Sequence, residues 1–220
     1  MAKSNKNKKK IALDDVYLKI QQAPSYCHLY DGEPSFFDER DEISKTIIFN
    51  LYTKKNDNPV AMMELVLFEV SRVGKYDWNI AFDMDSMTAE FGAIGFSLYD
   101  YFLKHDSNRQ LVDLKEFKNV SKFVDVHMRT LFVYPEYRNC GIGTYLLGNI
   151  SRLLYAYNRM IARMITTIPE PIDYTDENCP YTHNEKMKEI MIDHIVHHGF
   201  FPTDESQTVF IKEDDFAVLF

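Results

Sequence analysis

The chain has 220 residues, a formal net charge of −8, 45% apolar and 26% charged residues, which is ordinary for one soluble globular domain with a sizeable core. The acidic balance argues against nucleic acid as the partner of the folded body and slightly favours a cationic substrate. Cys27, Cys140 and Cys179 are odd in number and lack a short paired spacing, which argues against a disulfide scaffold and a thiolate zinc site.

Residues 1–10 are polar and lysine-rich and read as a disordered, solvated tail. The segment that follows carries charges where a secretory signal would be apolar, and no window approaches about 18 consecutive apolar residues. The expected address is the reducing cytoplasm, with no membrane partner. Residues 11–22 read as a short helix closed by Pro24, and the stretch after it is rich in turn residues. Thr46–Lys54 and Val60–Val73 read as strands joined through the turn KNDNP, an antiparallel hairpin.

Residues 86–104 switch to helical period, with Met87, Phe91, Ile94, Leu98, Tyr101 and Phe102 on one face and Asp85 or Ser86 as N-cap. Gly92 and Gly95 each cost such a helix about 1 kcal/mol against alanine, so they mark a close approach or a bend. Val120–Val133 reads as a long strand, Ile142–Ile161 as one amphipathic helix and Arg163–Ile168 as a strand stopped by PEP. Asn184–His198 reads as a helix with Met187, Ile190, Met191 and Ile195 inward and Gly199 at its C′ position. Gln207–Lys212 and Asp215–Phe220 read as a closing antiparallel pair. This order of elements predicts a mixed sheet packed by helices, α/β or α+β.

The chemistry concentrates in VYPEYRNCGIGTYLL, residues 133–147. A strand ends at Val133, Pro135 stops its ladder, and a turn with Gly141 and Gly143 delivers the chain into a helix. Unpaired N–H groups at a helix start attract an anion, glycines let the backbone approach it, and Arg138 adds a cation. The combination specifies a diphosphate cradle. It lacks both the GK[ST] end of a P-loop and the full G-x-G-x-x-G of a dinucleotide fold.

The run resembles motif A of the GNAT N-acetyltransferases, R/Q-x-x-G-x-G/A, here Arg138-Asn139-Cys140-Gly141-Ile142-Gly143. The longer pattern V-x-P-x-Y-R-x-x-G-I-G-x-x-L is matched by Val133, Pro135, Tyr137, Arg138, Gly141, Ile142, Gly143 and Leu146. The resemblance extends over roughly residues 120–220. It implies one GNAT-like domain over residues 11–220, interrupted by an insertion at about 74–119 that shapes an acceptor site or a partner surface. It also implies a mostly antiparallel sheet whose strand before the loop splays from the next. Acetyl-CoA would enter that gap, its pantetheine arm pairing with Leu131, Phe132 and Val133 like an added strand. Arg138, Asn139, Cys140, Gly141, Ile142, Gly143 and Thr144 would take the diphosphate, and Asn184 would lie on the cofactor side.

Acetyl transfer to an amine needs a base, a donor for the oxyanion and an acid for the departing thiolate. The family often places its base on the strand before the loop. His127 falls at that position and Asp125 is the reserve, although a buried histidine serving structure is the commoner outcome. The usual acid, a tyrosine four residues before Gly-Phe, is Ile195 here, which leaves Tyr181 or Tyr174 from the preceding loop. The histidines of DHIVHH (His194, His197, His198) lack a zinc-protease glutamate, so a solvated helix end is expected and no metal. Cys140 reads as a spectator in the loop.

These features together predict an acetyl-CoA-dependent N-acetyltransferase that transfers directly to a primary amine in a ternary complex. The acceptor is a small-molecule amine or a protein or peptide amine. The rivals are a catalytically weak acyl-CoA-binding module and an interaction protein on the same scaffold. Oligomeric state stays open, a homodimer included.

Overall fold

The structure, a computed structural model, describes residues 11–23, 44–69, 84, 89–105, 120–171, 184–203, 206 and 208–213. Seven strands form one sheet: β1 (Val16–Ala23), β2 (Ser44–Thr53), β3 (Pro59–Glu69), β4 (Lys122–Val133), β5 (Met160–Thr167), β6 (Phe201–Pro202) and β7 (Phe210–Glu213). Their order is β1-β2-β3-β4-β5-β7-β6. Only β4 and β5 run parallel; every other neighbour is antiparallel. Among the described residues, the helices α1 (Ala89–His105), α2 (Ile142–Gly148), α3 (Ile150–Asn158) and α4 (Glu185–His197) flank the sheet. The expected mixed, mostly antiparallel architecture is the one observed.

The residues divide over two cores, one on each face. Met63, Leu65 and Leu67 of β3 and Val124, Val126 and Met128 of β4 meet Ile142, Leu146, Leu147, Ile150 and Leu154 of α2 and α3. Val66 and Phe68 of β3 turn the other way, toward Phe91, Ile94, Leu98 and Tyr101 of α1. The strands alternate at period two and α1 recurs at three to four, as a half-buried strand and an amphipathic helix require. Leu146 and Leu154 are fully buried; truncating either to alanine costs about 2–5 kcal/mol. The helix expected at 86–104 is therefore α1, and its aromatic residues Phe91 and Tyr101 are core.

Two expectations need correction. Residues 11–22 are not a helix: a single 3-10 turn, Leu13–Asp15, leads into β1, which pairs with β2 from Val16↔Thr53 to Ala23↔Thr46. Val16, Leu18 and Ile20 alternate with Tyr17, Lys19 and Gln21, and an available strand edge selects that period. The long helix expected from Ile142 is two. Asn149 donates through Nδ2 to the Tyr145 carbonyl at 2.7 Å, while its own N–H turns to Leu146 O at 3.2 Å. Side chain replaces backbone in the ladder and the axis breaks there. The second helix ends at Arg159, left-handed at φ 54°, so Met160 opens β5 instead of extending the helix.

The strand expected at Gln207–Lys212 is observed as β7, Phe210–Glu213. β7 pairs with Phe201–Pro202 on one side and β5 on the other. The partner strand predicted at 215–220 lies outside the described residues, as do the tail 1–10, most of the segment 74–119, Tyr174 and Tyr181.

Candidate functional site

Parallel β4 and β5 stay paired from Lys122↔Met160 to Met128↔Thr167, and β5 then ends at Thr167 while β4 continues to Val133. Ile168, Pro169 and Glu170 lead away, and a trench of about 300 Å³ opens between the two strands. Its walls are Met128 to Val133 of β4, Thr167 to Glu170 beyond β5, and Met187, Met191, His194 and Ile195 of α4. A one-residue bulge starts the divergence: Glu64 of β3 pairs with Thr130, Leu65 with Met128, and Arg129 is the extra residue.

Beyond Met128, the edge of β4 that faced β5 has no strand partner among the described residues. Tyr134 N–H donates to Val60 O at 3.0 Å, toward β3. The planar trans peptide therefore turns the Val133 carbonyl away from β3, and strand alternation gives Leu131 the same orientation. Leu131 and Val133 thus present backbone groups to the trench. Phe132 does not: its backbone groups point to β3, and its ring lines the wall against Tyr134. Only two of the three residues expected to pair with pantetheine have the polarity to do so.

At its far end the trench meets a second cavity of about 520 Å³, lined by Val133, the loop from Tyr137 to Thr144, and Ile190, Asp193, His194 and His197 of α4. The 3-10 turn Pro135–Tyr137 anchors the loop by burying Tyr137 in the core. Asn139 (φ 64°) and Gly141 (φ 79°) are left-handed, and the first helical bond runs from Tyr145 N to Gly141 O at 2.9 Å. The N–H groups at the start of α2 precede that bond and lack helical acceptors. A Cβ on Gly143 would meet His194 Nε2 at 3.6 Å and Val133 Cγ2 at 3.9 Å, filling the junction between the cavities. Arg138 borders both cavities; its Nε donates to Val133 O at 2.9 Å and its guanidinium lies over the Phe132 ring at 5.6 Å.

The helix α4 differs from its expected role. Only Ile195 of its apolar residues is buried; Met187 is 41% and Ile190 59% exposed. Met187 and Met191 face the trench and Ile190 the second cavity. The sequence pattern is a core-facing stripe, yet it lines open space. Asn184 caps the helix, its side chain accepting from Met187 N at 3.1 Å, and it borders neither cavity.

The two strand residues nominated as base lie elsewhere. Asp125 and His127 are buried on the face covered by α1 and line neither cavity. Asp125 accepts from Arg163 Nε at 3.1 Å and Nη2 at 2.8 Å. Burial pushes the Asp125 carboxyl above the ordinary range, and the Arg163 charge offsets that in part. His127, 1% exposed, sits between Thr166 Oγ1 (3.2 Å from Nδ1) and Glu90 Oε1 (3.1 Å from Nε2), edge-on to Phe91. The Thr166 hydroxyl donates to Val126 O, so it accepts from the His127 Nδ1–H.

Glu90 and Glu64 extend this cluster toward the trench, whose wall holds their partners Arg129 and Thr130 but neither glutamate. Arg129 reaches Glu90 at 3.4 Å and Glu64 at 3.8 Å, and Thr130 donates to Glu64 at 3.5 Å. Burial first, then the Glu90 charge, raise the Glu64 carboxyl above its ordinary value against the Thr130 hydrogen bond and His127. Neither glutamate was singled out in the sequence. Both belong to segments that come together only in the fold. Cys140 is partly exposed in the loop, and no group of three or more metal-type ligands occurs among the described residues.

No family model matches the chain, and no curated protein does. Among solved structures it is similar to AtaTR bound with AcCoA, at 12% identity over 91% of this chain and 95% of that one, TM-score 0.40. It is also similar to AtaT complexed with acetyl-methionyl-tRNAfMet (12% identity, 92% and 98% covered, TM-score 0.41). A third is arylalkylamine N-acetyltransferase 2 from Aedes aegypti (13% identity, 77% and 73% covered, TM-score 0.35). The architecture of this chain stands on its own topology. The ligands named there, tRNA included, belong to those proteins.

Proposed function

We propose that this chain binds acetyl-CoA in the trench and the adjoining cavity and transfers the acetyl group to an amine. The observation that carries the reading is the continuity of three features along one groove. Backbone groups of Leu131 and Val133 suit a pantetheine arm, the loop from Arg138 to Thr144 suits a diphosphate, and the apolar side chains Met187, Ile190 and Met191 suit the ligand's remaining surface. A ligand in the groove would cover the exposed stripe on α4.

The residues fit the ligand where it is most demanding. Gly141 has a conformation that suits glycine, and Gly143 lacks the methyl that would narrow the passage. When bound, the thioester supplies an activated acyl group; the chain's own contribution is to position it. Leu131 N–H, near the start of the splay, is the backbone donor suited to a developing oxyanion. His127 and Asp125 act behind the wall as positioning groups: proton removal from the amine falls to water or, through water, to Glu64, whose carboxyl burial raises above its ordinary value. No tyrosine stands at position 195, so solvent or Tyr181 would protonate the thiolate. The acceptor is a primary amine, on a small molecule or a peptide.

A second reading, acyl-CoA binding without efficient turnover, is favoured by one observation: Ile195 and buried His127 occupy the positions where an acid and a base were expected. Calorimetric titration with acetyl-CoA, beside an Arg138→Ala control and an acceptor panel of small amines, peptides and aminoacyl-tRNA, separates the possibilities. Binding weakened in the control, with acetylated product, supports the enzyme. Binding without product on any acceptor supports the module. No binding ends both.

A further inference from the structure

Helix α4 carries two imidazoles into the cavity opposite the loop, and the proposed acetyl transfer leaves them unused. His194 lies at the junction of the two cavities, its Nε2 3.6 Å from where a Gly143 Cβ would stand, directly over the first turn of α2. His197 lines the same cavity one turn later. Its Nδ1 donates to Asp193 O at 2.6 Å, which fixes the tautomer and leaves Nε2 as the atom able to address a ligand. His198 packs edge-on to His194 with ring centroids 5.0 Å apart.

The surroundings are cationic. Arg138 borders the cavity from the loop, and Lys212 of β7 lies close enough to act on His198. Burial first, then the charges of His194, Lys212 and His197, hold the His198 imidazole below its ordinary value. These groups repel one another when protonated, and an anion among them relieves that repulsion. The acidic side chains nearby are Asp193, on the cavity wall, and Glu170, on the trench wall and paired with Lys188 of α4 at 3.6 Å. Neither borders both cavities, whereas Arg138 and His194 do.

We propose that His194 and His197 bind the diphosphate of the cofactor as imidazolium groups, so that its affinity is higher at pH 6.0 than at pH 8.0. The inference rests on the acetyl-CoA reading above and adds to it a proton-linked control of cofactor binding. The sign follows from linkage: an anion that prefers the protonated rings binds best where they are protonated, and binding draws protons onto them.

Dephospho-CoA is the probe, because its diphosphate keeps a fixed charge over the range and it lacks the 3′-phosphate that titrates there. Its Kd is measured at pH 6.0 and 8.0 for the full chain, His194→Gln, His197→Gln and the double variant, with pantetheine as the ligand without diphosphate. Both histidines are exposed, so the glutamines disturb no core, and matched melting curves check the fold. The expected wild-type Kd rises about tenfold between the two pH values, the change worth one favourable ion contact. The double variant is expected to lose that dependence, and pantetheine to show none. Equal pH dependence in the double variant, or none in the wild type, overturns the inference while leaving the groove a cofactor site. Failure of dephospho-CoA to bind at either pH overturns the acetyl-CoA reading itself, and this inference with it.

Discussion

Arg163 meets Asp125 through two parallel hydrogen bonds, Nε to Oδ1 at 3.1 Å and Nη2 to Oδ2 at 2.8 Å. The register between β4 and β5 slips between Val124 and Asp125, so Val124 faces Ala162, Asp125 faces Met164, and Arg163 has no Cα partner on β4. The irregular residue is thus the one that neutralises the buried carboxylate. Bidentate geometry makes this a strong pair, but breaking it leaves a buried carboxylate without its cation. Arg163→Ala is expected to cost about 3–5 kcal/mol in urea unfolding, and Arg163→Met with Asp125→Asn to recover most of it. A single variant as stable as the wild type would show the pair to be incidental.

Glu64 makes stability depend on pH in a stated direction. Its carboxyl titrates above the ordinary value in the folded chain, so between the two values the folded state holds more protons than the unfolded one. That contribution is present at lower pH and is lost as pH rises from the ordinary glutamate range through the raised value. Unfolding free energy measured across that window should fall less steeply in Glu64→Gln. An identical slope would remove Glu64 as the source.

The two loop glycines should separate stability from binding. Gly141 has no atom within 4 Å of a built Cβ but is left-handed at φ 79°, so Gly141→Ala is expected to cost about 1–2 kcal/mol by conformation alone. Gly143 has ordinary contacts for a Cβ, at 3.6 and 3.9 Å. Gly143→Ala should therefore melt near the wild type while weakening acetyl-CoA binding. Thermal melts and titrations on the same preparations test both, and unimpaired binding by Gly143→Ala would count against the groove.

Asn184 is a helix cap, and its variants should behave as such. Asn184→Ala is expected to lose about 1 kcal/mol of stability, and Asn184→Asp to keep it, with acetyl-CoA affinity unchanged in both. A drop in affinity without a drop in stability would restore the cofactor-side role implied by the family resemblance.

His127→Ala opens a void beside Phe91 and deprives Thr166 and Glu90 of a partner, an expected cost of about 2–4 kcal/mol. As a positioning residue, His127 should leave the pH–rate profile of acetyl transfer in place when it is replaced by glutamine, lowering only the rate. Loss of a basic limb would make it the base after all.

The sequence by itself determined what is local. A strand ending at Val133 just before Pro135, two closely spaced glycines and an amphipathic continuation make the loop legible, because left-handed backbone and helix initiation depend on neighbours in the chain. Strands β2 to β5 and helices α1 and α4 follow from periodicity for the same reason. Tertiary structure decided the rest. A free edge on β2 made Val16–Ala23 a strand, and the splay of β4 from β5 turned the stripe of Met187, Ile190 and Met191 toward a groove. Periodicity reports that a face is apolar, not what it will meet. Likewise Glu90 lies 37 residues from His127 and Arg163 lies 38 from Asp125. Whether a buried polar group serves catalysis or the core depends on such partners, and only folding brings them within reach.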